Sequence, residues 1–290
     1  MRTRRIAILI DGGFFIKRLS KLVAPEYHDS ARSVADSAYF LCKRHVQKLI
    51  GEQFNTPRSR WLDHVYRLFY YDAMPYDGVA HHPVSNLSID FAKTPEAKFR
   101  LDLFKELRTK RKFALRLGKV TREDGWHLKS TDITKKLLRT RDWLHVMDAA
   151  VTQSSGGQNP VPLTPEAAAQ LKKIADDWRS VSPDDLRLGL RQKGVDMRIG
   201  IDIATLTLKK QVDTLILITG DSDFVPAAKV ARREGVEFLL DPLWQSVNDD
   251  LHEHVDGVVS GFRNPNAAAN GEDEYGDPPA PPSPPISQIP

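Results

Sequence analysis

The fold class is decided by one stretch of the chain, Thr214-Leu215-Ile216-Leu217-Ile218-Thr219-Gly220-Asp221-Ser222-Asp223. Its continuous apolar part is strand-length, which is typical of a strand buried on both faces of a parallel sheet. We predict a helix from about Phe224 to Glu234, which Gly235 can terminate, and a further strand over Val236–Leu240. Strand, helix and strand in this order form a βαβ unit with a right-handed crossover.

Three further apolar stretches extend this sheet. Ile6–Ile10 is followed by Asp11, Val65–Tyr71 is followed by Asp72, and a third stretch covers Phe113–Leu117. The mixed sequence between the first two is suited to helices. We therefore predict an α/β fold with a mostly parallel sheet flanked by helices.

The middle and the end of the chain differ from this pattern. Residues 73–192 mix loops and helices, including a turn-rich stretch over 153–160 and a helical run over 165–178, and we interpret much of this range as a large insertion in a domain that covers 1–263. The tail, 264–290, is rich in Pro and acidic residues, so it cannot bury enough apolar area to offset its ordering entropy. We predict that the tail is disordered, with its proline run a candidate ligand for a protein partner.

The charge of the chain is compatible with a polyanionic partner. The formal net charge is +4, and the tail holds acids but no Lys or Arg, so the rest of the chain is more basic than the whole. A basic body tolerates RNA, although many mildly basic proteins bind no nucleic acid. No apolar run approaches the roughly 18–20 residues that span a bilayer, so we expect a soluble protein with no membrane contact.

The compartment is predicted from the first residues and the cysteine content. Met1–Arg5 is basic, but the apolar run that follows ends at Asp11 after five residues and offers no small-residue cleavage site, so we expect no export signal. The single cysteine, Cys42, excludes an intramolecular disulfide and a cysteine zinc site. Both observations favour the reducing cytoplasm.

Aspartates follow the predicted strands, where ligands sit in open parallel α/β sheets. Asp11 follows the first strand, Asp221 and Asp223 follow the strand that ends at Thr219, and Asp196 and Asp202 flank the start of a predicted helix. Converging carboxylates repel one another and stay ionised only beside a compensating cation, such as Mg²⁺. The alternative is structural, because single aspartates commonly cap helices and form turns.

The chain resembles the NYN-domain family, a branch of the PIN-like nucleases. The stretches that carry the resemblance are Ile8–Gly13, Tyr70–Asp72, Lys193–Asp196 with its continuation to Asp202, and Thr219–Pro226. The resemblance implies a PIN-like, Rossmann-like sheet, Mg²⁺ or Mn²⁺, and hydrolysis of RNA. It also implies metal and catalytic roles for four residues and a metal role for a fifth, namely Asp11, Asp196, Asp221 and Asp223, and then Asp202.

The chain departs from the family pattern just after the first strand. Family members often carry an Asn shortly after the first aspartate, where this chain has Phe14 and Phe15. Neither side chain coordinates a metal. This departure favours the alternative of a catalytically weak RNA-binding or regulatory module on the same scaffold. A third alternative, a phosphohydrolase of the haloacid dehalogenase type, is disfavoured because Gly13 stands where that family has its second aspartate.

Contact with RNA requires cations, because phosphate contacts supply most of the sequence-independent affinity. The best candidates are Lys193 and Arg198, beside Asp196, followed by Lys112 and Arg116 in the densest basic run. That run is also compatible with an ordinary solvated basic surface. The oligomeric state and the RNA substrate are left open by the sequence.

Overall fold

The structure is a computed structural model that describes residues 3–53, 56, 58–144 and 164–265. The predicted turn-rich loop over 153–160 lies outside the described residues, and so does the predicted disordered tail from residue 266 onward. The chain divides into two compact units. The first comprises residues 1–76, 92–121 and 192–290, and the second comprises residues 77–91 and 122–191.

The described chain contains both helices and strands. In order they are β1 (Ile6–Asp11), α1 (Gly12–Leu19), α2 (Ala31–Ile50), β2 (Val65–Met74), β3 (Val79–His81), β4 (Ser88–Asp90), α3 (Pro95–Thr109), β5 (Phe113–Leu128), α4 (Thr131–Leu138), α5 (Pro165–Arg179), β6 (Leu186–Lys193), α6 (Val195–Leu208), β7 (Thr214–Ile218), α7 (Val225–Arg233), β8 (Glu237–Asp241), α8 (Asp249–Glu253) and β9 (Gly257–Val258).

Seven strands form one sheet in the order β6-β5-β2-β1-β7-β8-β9. The pairs β1–β2, β1–β7, β2–β5, β7–β8 and β8–β9 are parallel. A separate antiparallel pair, β3 and β4, lies in the second unit. The mostly parallel α/β sheet that the sequence predicts is confirmed.

The strand alternation builds a core on each face of the sheet. Ile6, Ile8 and Ile10 of β1 belong to a cluster that includes buried residues of α1, α2 and α3. Ala7 and Leu9 belong to a second cluster, formed with α6 and α7. Since side chains alternate along a strand, Asp11 follows Ala7 and Leu9 onto the face that α6 and α7 cover.

The βαβ unit forms close to the predicted bounds. A short 3₁₀ turn, Ser222–Phe224, precedes α7, and Gly235 follows that helix with φ of +76°. This left-handed conformation is easy for glycine, and it ends the helix before β8. The boundary of the predicted insertion stays a prediction. The division into units has borders after residues 76, 91, 121 and 191, whereas the predicted range of the insertion is 73–192.

The turn from β1 into α1 depends on the missing side chain of Gly12. A Cβ atom there would lie 2.5 Å from Tyr70 Cε1 and 2.7 Å from the carbonyl oxygen of Tyr71. The carbonyl is part of β2 and cannot move aside without breaking the sheet. The nearest atom to a Cβ at Gly13 is Asp11 Oδ1, at 3.5 Å, which is an ordinary contact.

We therefore expect Gly12→Ala to destabilise the fold by about 1–3 kcal/mol, the usual effect of overpacking. Gly13→Ala is the matched control and should be neutral or stabilising, because alanine is favoured over glycine in a helix. Thermal unfolding measures both, at roughly 2 °C or more per kcal/mol for a chain of this size. Equal melting temperatures for the two variants would contradict this account of the turn.

Candidate metal centre

The parallel register lines up functional side chains along the carboxyl edge of the sheet. Asp11 of β1 pairs with Tyr71 of β2, which pairs with Arg116 of β5. On the other side, Ile10 pairs with Ile218, so that Asp11 lies beside Thr219. The first aspartate of the predicted site is thus fixed at the centre of this edge by two parallel ladders.

Asp11 is held by two hydrogen bonds. Its Oδ1 accepts from the backbone N–H of Phe14 at 3.1 Å, which caps α1, and its Oδ2 accepts from Thr219 Oγ1 at 3.3 Å. A carboxylate has about four lone-pair sites, so roughly two remain. The side chain is therefore oriented and still able to bind a cation.

Asp221 and Asp223 stand in the turn that follows β7. Asp221 Oδ1 accepts from the backbone N–H of Asp223 at 2.9 Å, and the N–H of Asp221 donates to Thr219 Oγ1 at 3.3 Å. Thr219 thus contacts both Asp11 and Asp221. Asp221 caps the turn, as the structural interpretation of a single aspartate requires, but that cap uses one of its two oxygens.

Asp196 links the two groups of acids electrostatically. It lies in the first turn of α6 with an exposed side chain. Partial loss of water around it raises its pKa, and the negative charges of Asp221 and Asp223 raise the pKa further. Mutual repulsion of this kind requires the three carboxylates to lie near one another.

Asp11 belongs to the same group. Burial is the largest influence and raises its pKa, and the negative charges of Asp196 and Asp72 raise it further, while the hydrogen bonds from Phe14 and Thr219 lower it. The structure therefore brings Asp11, Asp196, Asp221 and Asp223 together at one edge. A cation among them would relieve a repulsion that the fold otherwise carries.

The donor set suits a hard divalent ion. Among the residues that the structure describes, no three His, Cys, Asp or Glu side chains surround a single metal position. Mg²⁺ commonly takes one or two carboxylates and keeps several waters, so a complete protein cage is not required. The clustered carboxylates fit such a partly hydrated ion and do not form the ligand set of a structural zinc site.

Asp202 stands apart from these four acids. Its Oδ2 accepts from the hydroxyl of Tyr71 at 2.8 Å and from Arg116 Nε at 2.9 Å. Asp196 and Asp202 lie six positions apart on α6, which turns them by roughly 240° around the helix and separates them by about 9 Å along it. Asp202 is therefore neutralised by its own arginine, and we leave it out of the proposed metal ligands.

The four predicted RNA contacts have different surroundings. Arg198 Nη1 donates to the carbonyl of Gly194 at 2.6 Å, so that its guanidinium lies at the exposed start of α6 near Lys193. Arg116 is bound to Asp202 and lies 5.2 Å over the ring of Phe69.

Lys112 is bound to backbone carbonyls of the fold. Its ammonium group donates to the carbonyls of Leu62, at 2.7 Å, and of Val65. It precedes β5, at the edge of the sheet opposite to the aspartates. The pKa of Lys112 is lowered, and desolvation is the largest cause. We therefore leave Lys112 out of the proposed RNA contact.

Sequence reasoning missed an acid and a base at the same edge. Asp72 is 2% exposed and forms an ion pair with Arg100 of α3, while its Oδ1 accepts from the N–H of Ala73 at 2.8 Å. Burial raises the pKa of Asp72 and the positive charge of Arg100 lowers it. The strand-end rule that selected Asp11 also applies to Asp72, but nothing in the sequence of α3 distinguishes Arg100.

Phe14 and Phe15 have different roles. Phe15 is fully buried and meets Tyr70 edge-on, with ring centroids 6.4 Å apart. The Phe14 ring lies against Gly220, where a Cβ atom would be 2.8 Å from Phe14 Cε2. Phe14 therefore supports the turn after β7 by packing, and only its backbone N–H contacts an acid.

Comparisons with known proteins fit this geometry. Residues 158–260 match the family model of the NYN domain, which is a PIN-like nuclease family. The match covers 103 of the 290 residues. The NYN match includes Asp196, Asp221 and Asp223, whereas Asp11 comes from a part of the sheet that precedes it.

Two further comparisons with known proteins add no second family. None of the curated proteins matches the chain. A solved structure of a protein of unknown function from Vibrio parahaemolyticus RIMD 2210633 is similar over 90% of this chain and 99% of that chain, with 11% sequence identity and a TM-score of 0.37.

In the described part of the chain, no helix is long and apolar enough to cross a membrane.

The acid cluster has a consequence for stability. Because the folded-state pKa of Asp11 and of Asp196 is raised above 3.8, ionising either group destabilises the fold. This destabilisation is absent below about pH 3.8 and appears as the pH rises through the folded-state pKa. Above the folded-state pKa and without metal it is fully present.

We expect Asp11→Asn and Asp196→Asn to melt above the wild type in EDTA at pH 7, because each removes a charge that burial and then repulsion disfavour, at nearly constant volume. Mg²⁺ or Mn²⁺ should stabilise the wild type more than either variant. The control is Asp256→Asn, which loses charge-assisted bonds to Arg232 Nε (3.0 Å) and to the N–H of Phe238 (2.8 Å) and should melt lower, with or without metal. Site variants that behave like this control would indicate purely structural aspartates.

Proposed function

We propose that the protein is a metal-dependent ribonuclease that hydrolyses phosphodiester bonds of RNA. The observation that supports this most strongly is the mutual repulsion of Asp196 with Asp11, Asp221 and Asp223 at the carboxyl edge of an NYN domain. A purely structural role for four aspartates would not require neighbouring carboxylates to raise the pKa of Asp11 and of Asp196. A site for a divalent cation does.

The four acids are the residues that would hold Mg²⁺ or Mn²⁺. The bound ion would supply a water of lowered pKa and positive charge for the scissile phosphate. Asp11 is the most firmly positioned ligand, because the N–H of Phe14 and the hydroxyl of Thr219 orient its carboxylate. Asp196 and Asp223 are exposed and can adjust to the ion, while Asp221 is restrained by its turn.

Lys193 and Arg198 are the proposed contacts to RNA. Lys193 is the last residue of β6 and Arg198 lies in the first turn of α6, so that they flank Asp196 in the sequence. Positive charge at this place can neutralise phosphates that flank the cleaved bond. Arg116 is a weaker candidate because Asp202 already pairs with it.

We also propose that the protein acts in the cytoplasm and that its proline-rich tail binds a protein partner.

The second candidate is an RNA-binding module with weak or no catalysis. Phe14 favours it, because its ring packs on Gly220 where family members often offer a polar side chain. Both candidates share the RNA contact and differ in whether the acids support hydrolysis. Cleavage and binding therefore have to be measured separately.

The test is cleavage of single-stranded and hairpin RNA with Mg²⁺, Mn²⁺ or EDTA. We expect metal-dependent cleavage that Asp11→Asn and Asp223→Asn reduce at least about 100-fold, since even outer-sphere changes at metal sites cost 10–100-fold. Asp250→Asn, an exposed acid on α8, is the control. Cleavage that persists in EDTA or in both site variants contradicts the ribonuclease proposal, and metal-independent binding without cleavage supports the second candidate.

The salt dependence of RNA binding tests the cationic contacts. Each phosphate contact to a single strand contributes roughly 0.7 to the slope of log K against log salt concentration. Lys193→Ala and Arg198→Ala should each lower this slope by about that amount and weaken binding to all sequences alike. Lys112→Ala should leave the slope unchanged, because its ammonium group is bound to backbone carbonyls. An equal slope in all three variants would refute contact at the start of α6.

A further inference from the structure

A surface depression continues from the acid cluster along α6 and α7. Its lining is acidic at one end and apolar elsewhere. It includes Asp196, Met197 and Gly200 from α6, and Asp223, Ala227 and Val230 from the turn and helix that follow β7. Two of the four proposed metal ligands, Asp196 and Asp223, thus also line this depression.

The apolar part of the depression is exposed to water. The side chain of Met197 is 71% exposed, although it stands in the first turn of a helix whose other face is packed in the core. Exposed apolar surface beside a polar site is typical of a ligand groove. A flexible thioether also makes favourable contacts with aromatic rings.

Gly200 keeps the depression open. Glycine is unfavourable in the interior of a helix, and alanine would be the more stable choice there. A Cβ atom at Gly200 would meet no atom within 4 Å, so packing within the described fold does not require glycine. The absent side chain leaves free surface beside Met197.

The position of the depression restricts its occupant. Any folded protein seated in it would also cover Asp196 and Asp223 and would block access to the proposed metal. A substrate that places a phosphate at this acidic end brings its neighbouring nucleoside to the apolar part. The sugar-phosphate backbone is anionic and unsuited to this lining, whereas the faces of a base are planar and apolar.

We propose that the depression between α6 and α7 binds one unpaired nucleobase next to the scissile phosphate. The substrate class is accordingly RNA that is single-stranded at the cleaved bond, because a paired base is stacked on both faces and cannot enter. This inference rests on the proposed function and specifies its substrate.

The first arm of the test fills the depression by mutation. Gly200→Leu places a side chain in the open space and should fold with a melting temperature at or above that of the wild type. We expect it to weaken binding of a single-stranded oligonucleotide in EDTA at least tenfold, with Gly200→Ala intermediate. Ile201→Leu, at the next position of α6 but outside the lining, is the matched control and should bind as the wild type does.

The second arm removes the base from the RNA. A set of oligonucleotides, each with one abasic ribose, should show one position at which wild-type binding falls, adjacent to the cleaved bond where cleavage occurs. Gly200→Leu should be insensitive to that position, because its depression is already filled. The effects of the abasic position and of Gly200→Leu should therefore not add up, which would show that the removed base is the one that occupies the depression.

The outcomes separate the two proposals. Wild-type binding without cleavage contradicts the ribonuclease proposal alone, and the abasic series then still decides on the depression from binding. A flat abasic series, wild-type binding by Gly200→Leu, or no RNA binding at all overturns the inference. A changed oligomeric mass in Gly200→Leu with a flat abasic series also overturns it and assigns the depression to a protein interface.

Discussion

The proposed site depends on the parallel pairing of β1 with β2 and β7. These ladders fix Asp11 beside Thr219, and Thr219 contacts the turn that carries Asp221 and Asp223. The same strands support α6, which brings Asp196 to the edge. The fold therefore concentrates negative charge at one place, at a cost to its own stability, and a bound cation would relieve that cost.

Much of this arrangement could be predicted from the sequence because strong local signals carry it. Continuous apolar runs identified the parallel strands, and the aspartates after Ile10 and Thr219 followed from the rule that ligands sit at carboxyl ends of strands. Asp202 could not be separated from Asp196 in the same way, since its removal from the cluster depends on Arg116 and Tyr71, which lie far away in sequence. Lys112 belongs to a basic run whose members are distinguished only by tertiary contacts. The pairing of Asp72 with Arg100 likewise depends on where α3 packs.

Phe14 and Gly200 show how the surroundings of the acids could tune the function. The Phe14 backbone orients Asp11 while its ring packs against Gly220, so that Phe14 offers no side-chain ligand to the proposed metal. Gly200 has the opposite effect and leaves surface open beside Asp196 and Asp223. In this account one side of the acid cluster is closed by packing, and the other is left accessible to the substrate.

The most direct measurement of the central claim is an anomalous difference map from crystals of the protein grown with Mn²⁺. The account predicts a peak at the carboxyl edge of the sheet, about 2–2.3 Å from an oxygen of Asp11 and completed by oxygens of Asp196, Asp221 or Asp223 and by waters. A map with no peak among these four carboxylates at saturating Mn²⁺, while Asp11 keeps only its bonds to Phe14 and Thr219, would contradict it.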